Sequence, residues 1–238
     1  MTSQEPTRVQ PPDADNILQQ FRSPLLLCCR FVLLSIFRVV KWIRRITWTV
    51  QGTKNLHSLD GPLIFVANHQ SHVDTHVILD ALPKSLRKTT AVAAAYDHFA
   101  DSEGTSIKKR IIQFIVAAVW HAFGIERHKS PLRSIRTMND LLNRGWSIVI
   151  YPEGTRSRTG TIADFKPGFA LIAKRSGRPV IPVHINGGLG ILPEATYIPR
   201  SGQMAVSFGS ALHFEESESS NEFMARVEAS VRELAACA

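Results

Sequence analysis

Cysteine is scarce in this chain: three residues in 238, with Cys28 and Cys29 adjacent and Cys237 almost terminal. No spacing of the kind that builds a disulfide framework or a zinc site occurs, and the pattern suits a reducing compartment. All three thiols fall outside the segments that read as folded core, which argues against thiol catalysis. A long uninterrupted apolar run is missing as well. The most apolar stretch, SPLLLCCRFVLLSIFRVVKWIRRITW (Ser23–Trp48), is broken by Arg30 and Arg38, short of the ~20 apolar residues that span a bilayer. It begins too far into the chain, and is too charged afterwards, for a cleavable signal peptide. There is no G-x-S-x-G elbow, which speaks against a serine hydrolase. There is no zinc-finger or aromatic RNA-reading motif, which speaks against a nucleic-acid module. Internal repeats and low-complexity blocks are absent too.

What remains is an ordinary globular composition, 44% apolar and 20% charged, with 28 Lys+Arg against 20 Asp+Glu. Such a length accommodates one sizeable domain. The net charge of +8 favours anionic company: nucleic acid, an acidic lipid surface or a phosphorylated substrate. Residues 1–20 are polar and proline-containing and read as a flexible tail. Residues 21–49 read as an amphipathic helical segment, and residues 50–238 as an α/β domain. On a helical wheel, Arg30, Arg38, Lys41, Arg44 and Arg45 gather within roughly one third of the circumference. Phe31, Val32, Ile36, Val39, Trp42, Ile43 and Ile46 take the opposite side. Two arrangements fit: a helix lying in a membrane interface, or one packed on the core with a solvated basic face. Trp42, Trp48 and the clustered cations favour the interface of an anionic membrane. With the reduced cysteines, this leads to the expectation of a peripheral protein on the cytoplasmic face.

From Val50 onward, strand-like and helix-like segments alternate. PLIFVAN, KTTAVAAAY, WSIVIYP and RPVIPVHI read as strands, and QMAVSFG as an edge strand. SHVDTHVILDAL, with Ser71 as N-cap, IKKRIIQFIVAAVWHAF, PLRSIRTMNDLLN after Ser130, and PGFALIAKRS before Gly177 read as helices. The C-terminal helix opens on a capping box, Ser219 with Glu222. The alternation predicts a single α/β domain, a largely parallel or mixed sheet flanked by helices.

The stretch NHQSHVD (Asn68–Asp74) crowds two histidines, two amides, a hydroxyl and a carboxylate against the end of a buried strand. Spacing alone means little, since His98/Glu103, His121/Glu126 and His213/Glu218 repeat it. Ser71-x-x-Asp74 also matches a capping box, so Asp74 has a purely structural reading. Placement separates the two. Residues five apart on one helix point about 140° from each other, whereas a strand end turning into a helix can bring them together. The carboxyl ends of α/β strands are also where a sheet opens a crevice. There Asp74 can hold one ring nitrogen of His69 and leave the other to take a proton. YPEGTRSRTG (Tyr151–Gly160) follows another strand. It is either a solvated turn or a loop whose glycine, hydroxyls and two guanidiniums bind phosphate. FGIERHKS adds Glu126, Arg127 and His128, or else forms a surface turn with a salt bridge.

The order of blocks, N-H-x-x-x-x-D, G-I-E-R, Y-P-E-G-T-R-S, F-K-P-G and V-I-P-V, resembles the glycerolipid acyltransferases, of which lysophosphatidate acyltransferases are the best known. The resemblance covers roughly Gly61 to Val183. It implies His69 and Asp74 as the catalytic pair. It assigns Glu153, Gly154, Thr155 and Arg156, with Arg127 of the second block, to binding the phosphorylated acceptor, with Pro182 shaping the site. The implied reaction moves an acyl group from acyl-CoA or acyl carrier protein to a lysophospholipid hydroxyl, 1-acylglycerol-3-phosphate above all, in phospholipid biosynthesis. It needs no metal and no cofactor beyond that donor, and no nucleic acid. Two positions depart from the family pattern. Gly124 stands where an aromatic is usual, and Ala93–Tyr96 occupies a stretch where many members carry lysines beside the acceptor phosphate. A different lysolipid or alcohol acceptor, or a non-catalytic module binding anionic membranes, therefore stays open.

Overall fold

Short β-branched and aromatic runs, each bounded by glycine, proline or a polar turn, become strands because they fit a surface buried on both faces. The computed structural model describes residues 13–57, 59–95, 119–125, 131–193, 196 and 198–237. Its strands are β1 (Ile46–Gln51), β2 (Ile64–Ala67), β3 (Thr90–Ala95), β4 (Ala122–Ile125), β5 (Ser147–Ile150), β6 (Val180–Asn186) and β7 (Gly202–Phe208). Its helices are α1 (Ala14–Phe21), α2 (Pro24–Ile43), α3 (Lys54–His57), α4 (Val73–Ala81), α5 (Lys84–Lys88), α6 (Pro131–Asn143), α7 (Gly168–Ser176), α8 (Gly188–Ile191) and α9 (Ser220–Ala236).

The strands form one sheet in the order β1-β7-β6-β2-β5-β3-β4. From β6 to β4 every neighbour is parallel, β7 runs antiparallel to β6, and β1 is parallel to β7. The sheet is therefore mixed, and helices cover both faces. Alternation along each strand divides the core in two. Ile64, Val66, Ile148 and Ile150 face Phe21, Leu141, Phe169 and Phe223 of α1, α6, α7 and α9. Phe65, Ala67, Val149 and Ile181 face Val73, Val77 and Ile78 of α4. Pro182 tolerates a central strand because the pairing slips there. Val180 bridges Leu212 while Val183 pairs with Phe208, so two residues of β6 oppose three, a bulge at the residue that has no N–H.

Four expectations are corrected. The flexible tail does not extend to residue 20: Asp13 caps α1 by accepting from Asn16 N–H at 2.9 Å, and Ala14, Ile17, Leu18 and Phe21 enter the core. The spacing of those four is that of one helix face, and burial outweighs the polar composition around them. The helical segment assigned to residues 21–49 stops at Ile43; Arg45 takes a positive φ of 51°, and Ile46–Gln51 pairs with β7. Thr47, Thr49 and Val50 are β-branched, and the edge of β7 offers them a ladder. β7 is consequently an inner strand. Ala122 and Phe123, expected as the end of a long helix, form β4 with Gly124 and Ile125 at the far edge beside β3; residues 107–118 of that helix lie outside the described residues.

α2 packs the reverse of a core helix. Leu25, Phe31, Val32, Ile36, Val39, Trp42 and Ile43 are exposed, Phe31 by 71% and Trp42 by 80%, while Arg30 turns inward. Among the described residues no single helix is long and apolar enough to cross a membrane; α1 and α2 meet at a bend of 60°.

Two histidines beneath α2 are buried neutral. Burial, offset in part by Asp80 and reinforced by Lys41 and Arg87, pushes His76 down to about 4. Burial and Arg30 push His121 down to about 3 against the Thr90 carbonyl, which opposes the shift. The unfolded chain takes up these protons near pH ~6.5 and the folded chain does not, so stability falls as pH drops through that value and goes on falling toward about 4. At ~1.4 kcal/mol per pH unit, His76 alone accounts for roughly 2 kcal/mol between pH ~6.5 and pH ~5. Urea midpoints at about pH 7.5 and about pH 5 should differ accordingly, and His76→Asn should flatten the difference. Equal midpoints for the unsubstituted chain would contradict neutral burial.

Candidate active site

β2 ends at Ala67, and the next residue prolongs its pairing with a side chain. Asn68 Nδ2 donates to the Ile185 carbonyl at 2.9 Å, and Asn68 Oδ1 accepts from Ile185 N–H at 2.8 Å. Asn68 thus stands in for a peptide unit and locks the end of β2 to β6. His69 follows at the mouth of the sheet. Its backbone N–H donates to Glu153 Oε1 at 2.7 Å, and its carbonyl accepts from Ser157 N–H at 2.8 Å.

The chain then turns into α4 and brings Asp74 back to the ring. His69 Nδ1 lies 3.0 Å from Asp74 Oδ2. The same oxygen accepts from the N–H groups of Gln70 at 2.6 Å and Ser71 at 2.7 Å. Asp74 is fully buried, and three donors on one oxygen are what make a buried carboxylate affordable. Oδ1 has no hydrogen-bond partner among the described residues and lies against Gly188, where a Cβ would stand 2.2 Å from it. Ser71 does not cap α4 as expected. The helix begins at Val73, and the Ser71 hydroxyl donates to the Leu192 carbonyl at 2.7 Å, tying the motif to the segment after α8.

The His69 ring stacks on Tyr151 at 4.0 Å with an interplanar angle of 18°. Tyr151 OH pairs with Thr75 Oγ1 at 2.8 Å, and burial raises the phenol far above its ordinary value, so it stays protonated. The ring is therefore held on its face by Tyr151 and on its Nδ1 edge by Asp74. With Nδ1–H donating to the carboxylate, Nε2 keeps a lone pair, and the side chain is 16% exposed. This arrangement can accept a proton from a bound hydroxyl and stabilise the imidazolium that results.

The second cluster is stitched to the first. Glu153 accepts from His69 N–H and, through Oε2, from Ala163 N–H at 2.9 Å; burial raises its pKa, and these two bonds oppose the rise. A buried carboxylate whose oxygens both hold backbone donors braces the loop, and Glu153 does so between His69 and Ala163. Gly154 takes a φ of 76°, a left-handed turn that glycine makes without strain, and carries the chain to Thr155, which is exposed, and Arg156, which is half-buried. Gln70 Nε2 donates to the Gly160 carbonyl at 3.2 Å, closing the loop on the first motif from its other end. His69, Asp74 and Glu153–Arg156 are therefore brought together. Arg127, with Glu126 and His128, lies outside the described residues.

Two contributors escaped the sequence reading. Tyr151 was visible as the residue after β5, as His69 follows β2. Gly188 was visible in NGGLG after β6, where adjacent glycines mark a close approach. Among the described residues no group of three or more His, Cys, Asp or Glu side chains is placed to hold a metal.

Comparison with known proteins bears on the family and the fold. The model of the family described as Acyltransferase matches residues 47–186, more than half of the chain, and contains both clusters. A chloroplastic 1-acyl-sn-glycerol-3-phosphate acyltransferase of Brassica napus is 31% identical over 150 residues, 62% of this chain and 39% of that protein. The 1-acyl-sn-glycerol-3-phosphate acyltransferase of Pseudomonas aeruginosa is 27% identical over 193 residues, 78% of this chain and 68% of that one. This chain spans less than half the length of the plastid relatives it matches. The crystal structure of the 1-acyl-sn-glycerophosphate acyltransferase of Thermotoga maritima shares the fold, with a TM-score of 0.63 at 24% identity over 92% of this chain and 86% of that one. By the family match over residues 47–186, with both motif clusters inside it, the chain belongs to the acyltransferase family.

Proposed function

We propose that the protein is an O-acyltransferase that moves a fatty acyl group from an acyl thioester, acyl-CoA or acyl carrier protein, to the free hydroxyl of a lysophospholipid. The observation that carries this reading is the 3.0 Å contact of His69 Nδ1 with Asp74 Oδ2 at the mouth of β2, with the Glu153–Arg156 loop pinned to the His69 backbone. Nε2 of His69 takes the acceptor's hydroxyl proton as the oxygen attacks the thioester carbonyl. The tetrahedral adduct collapses, the C–S bond breaks, and the thiolate leaves with the proton returned from the imidazolium. Base catalysis of this kind contributes ~10²–10⁴-fold, and the remainder comes from holding both substrates together.

The acceptor we favour is 1-acylglycerol-3-phosphate. The names of the relatives support it, and Arg156 in the loop beside His69 supplies a guanidinium suited to a phosphate. Ala93 and Ala94 at the end of β3 supply no cation. A screen of lysolipid acceptors with labelled acyl-CoA and acyl carrier protein settles the choice by the product formed.

We further propose that α2 seats the protein on the cytoplasmic face of an anionic membrane. Its exposed apolar row, with Trp42 at its C-terminal end, matches an interfacial helix. Replacing Phe31, Ile36 and Trp42 together by Ser should abolish co-sedimentation with phosphatidylglycerol vesicles; retained binding would place the contact elsewhere.

Two substitutions test the chemistry. His69→Ala should lower turnover by at least ~10² with the circular dichroism unchanged; near-normal turnover in a folded variant would end the proposal. Gly188→Ala drives a methyl onto Asp74 Oδ1 and to 3.1 Å from Ser71 Cβ. It should lower turnover by a similar order, whereas Gly190→Ala, which meets nothing within 4 Å, should leave it unchanged. Equal activities of these two variants would show that the carboxylate's position is not critical.

A further inference from the structure

Beneath α2, a cavity of about 180 Å³ opens between that helix, α4, α5 and Trp48 of β1. Arg30, Arg38, Lys41 and Arg87 line it, and Asp80 is its one lining carboxylate among the described residues. Asp80 is already engaged, accepting from Arg87 Nη1 at 2.9 Å. His76 and His121 add no charge, because both are held neutral by burial. The tautomer of His121 follows from its partners. Nδ1–H donates to the Thr90 carbonyl at 3.3 Å, and Nε2 accepts from the Arg30 guanidinium. Arg30 is therefore half-buried against a neutral ring, with Arg87 as its nearby charge, and its pKa is lowered by burial and by that neighbour. Lys41 Nζ sits 3.2 Å from the centroid of the Trp48 ring.

Arg30, Arg38 and Lys41 thus outnumber the one carboxylate, Asp80, that lines the same small cavity among the described residues and is already engaged by Arg87. Their complement is a compact group rich in acceptor oxygens and negatively charged. A phosphate meets that description through charge-assisted bonds to guanidinium.

We infer that this cavity is a phosphate-binding site separate from the acceptor site. His76 lines it, and His76 is about 200° around α4 from Asp74, so the helix stands between the two. The phosphate's source follows from α2, and here the inference rests on the interfacial reading proposed above. With its apolar row in the membrane, the basic side of α2 lies at headgroup level, and the occupant is the headgroup phosphate of an acidic lipid that is not consumed.

Titrating the full chain with sodium phosphate against sodium chloride of matched ionic strength, with tryptophan fluorescence as readout, tests the site, since Trp48 and Trp120 line it. The double variant Arg30→Gln, Lys41→Gln should weaken phosphate binding at least ten-fold. Arg38→Gln, at an exposed position on the rim, should weaken it too, and it serves where the double variant does not fold. Phosphate binding equal in all proteins, or absent from the unsubstituted chain, overturns the site. Co-sedimentation with phosphatidylglycerol against phosphatidylcholine vesicles identifies the source. Loss of the preference for phosphatidylglycerol in the variants supports the lipid headgroup. A preference they retain overturns the headgroup assignment and gives the site to a soluble phosphate compound. If the unsubstituted chain binds no vesicle while its phosphate binding remains sensitive to the variants, the interfacial reading alone has failed.

Discussion

The buried carboxylate of Asp74 is the constraint on which the rest depends. One of its oxygens gathers a ring nitrogen and two backbone N–H groups from the three residues Gln70, Ser71 and His69. A charge with no exposure is tolerable only if donors converge on it, and that convergence dictates the tight turn between β2 and α4. Everything around it is shaped to the same end. Gly188 leaves room for the other oxygen, Ser71 turns its hydroxyl to Leu192, and Asn68 anchors the turn to β6. The dyad is thus a property of four chain segments meeting at one sheet edge.

The second cluster belongs to the same construction. Glu153 spans from the His69 amide to Ala163, so the loop that carries Arg156 cannot shift without disturbing the backbone of His69. Under the proposed function, a guanidinium and an imidazole that meet two ends of one substrate need such a fixed separation. Rigidity here comes from backbone donors, which do not vary with side-chain identity.

Much of this was legible. The strand runs, the Gly177 stop of α7 and the Ser219–Glu222 capping box were readable because each is a local signal, and each forms as written. The block from Asn68 to Asp74 was readable because polar residues after a buried strand have few structural uses. What was not legible depends on partners distant in the chain. Ile46–Thr49 falls at the end of the expected helical segment and becomes part of β1 because β7 has an open edge. Ala14–Phe21 carried its signal at helix spacing, yet Pro11 and Pro12 before it pointed to a tail. The bracing part of Glu153 needed the position of residue 69, and the direction in which Arg30 points needed His121; both are contacts across long stretches of chain.

The two-residue turn at Arg44 and Arg45 has a geometric consequence. β1 starts alongside Gly202, and because β7 runs against β6, that start lies at the same rim of the sheet as His69. The last turn of α2, with Trp42, is therefore delivered to the rim where the imidazole opens, three strand spacings or ~14 Å across the sheet. A short, stiff coupling of this kind leaves little freedom of tilt. Under the function and membrane seating proposed above, the mouth at His69 comes to rest beside whatever plane the helix settles on, and a two-tailed product slips away sideways without crossing water.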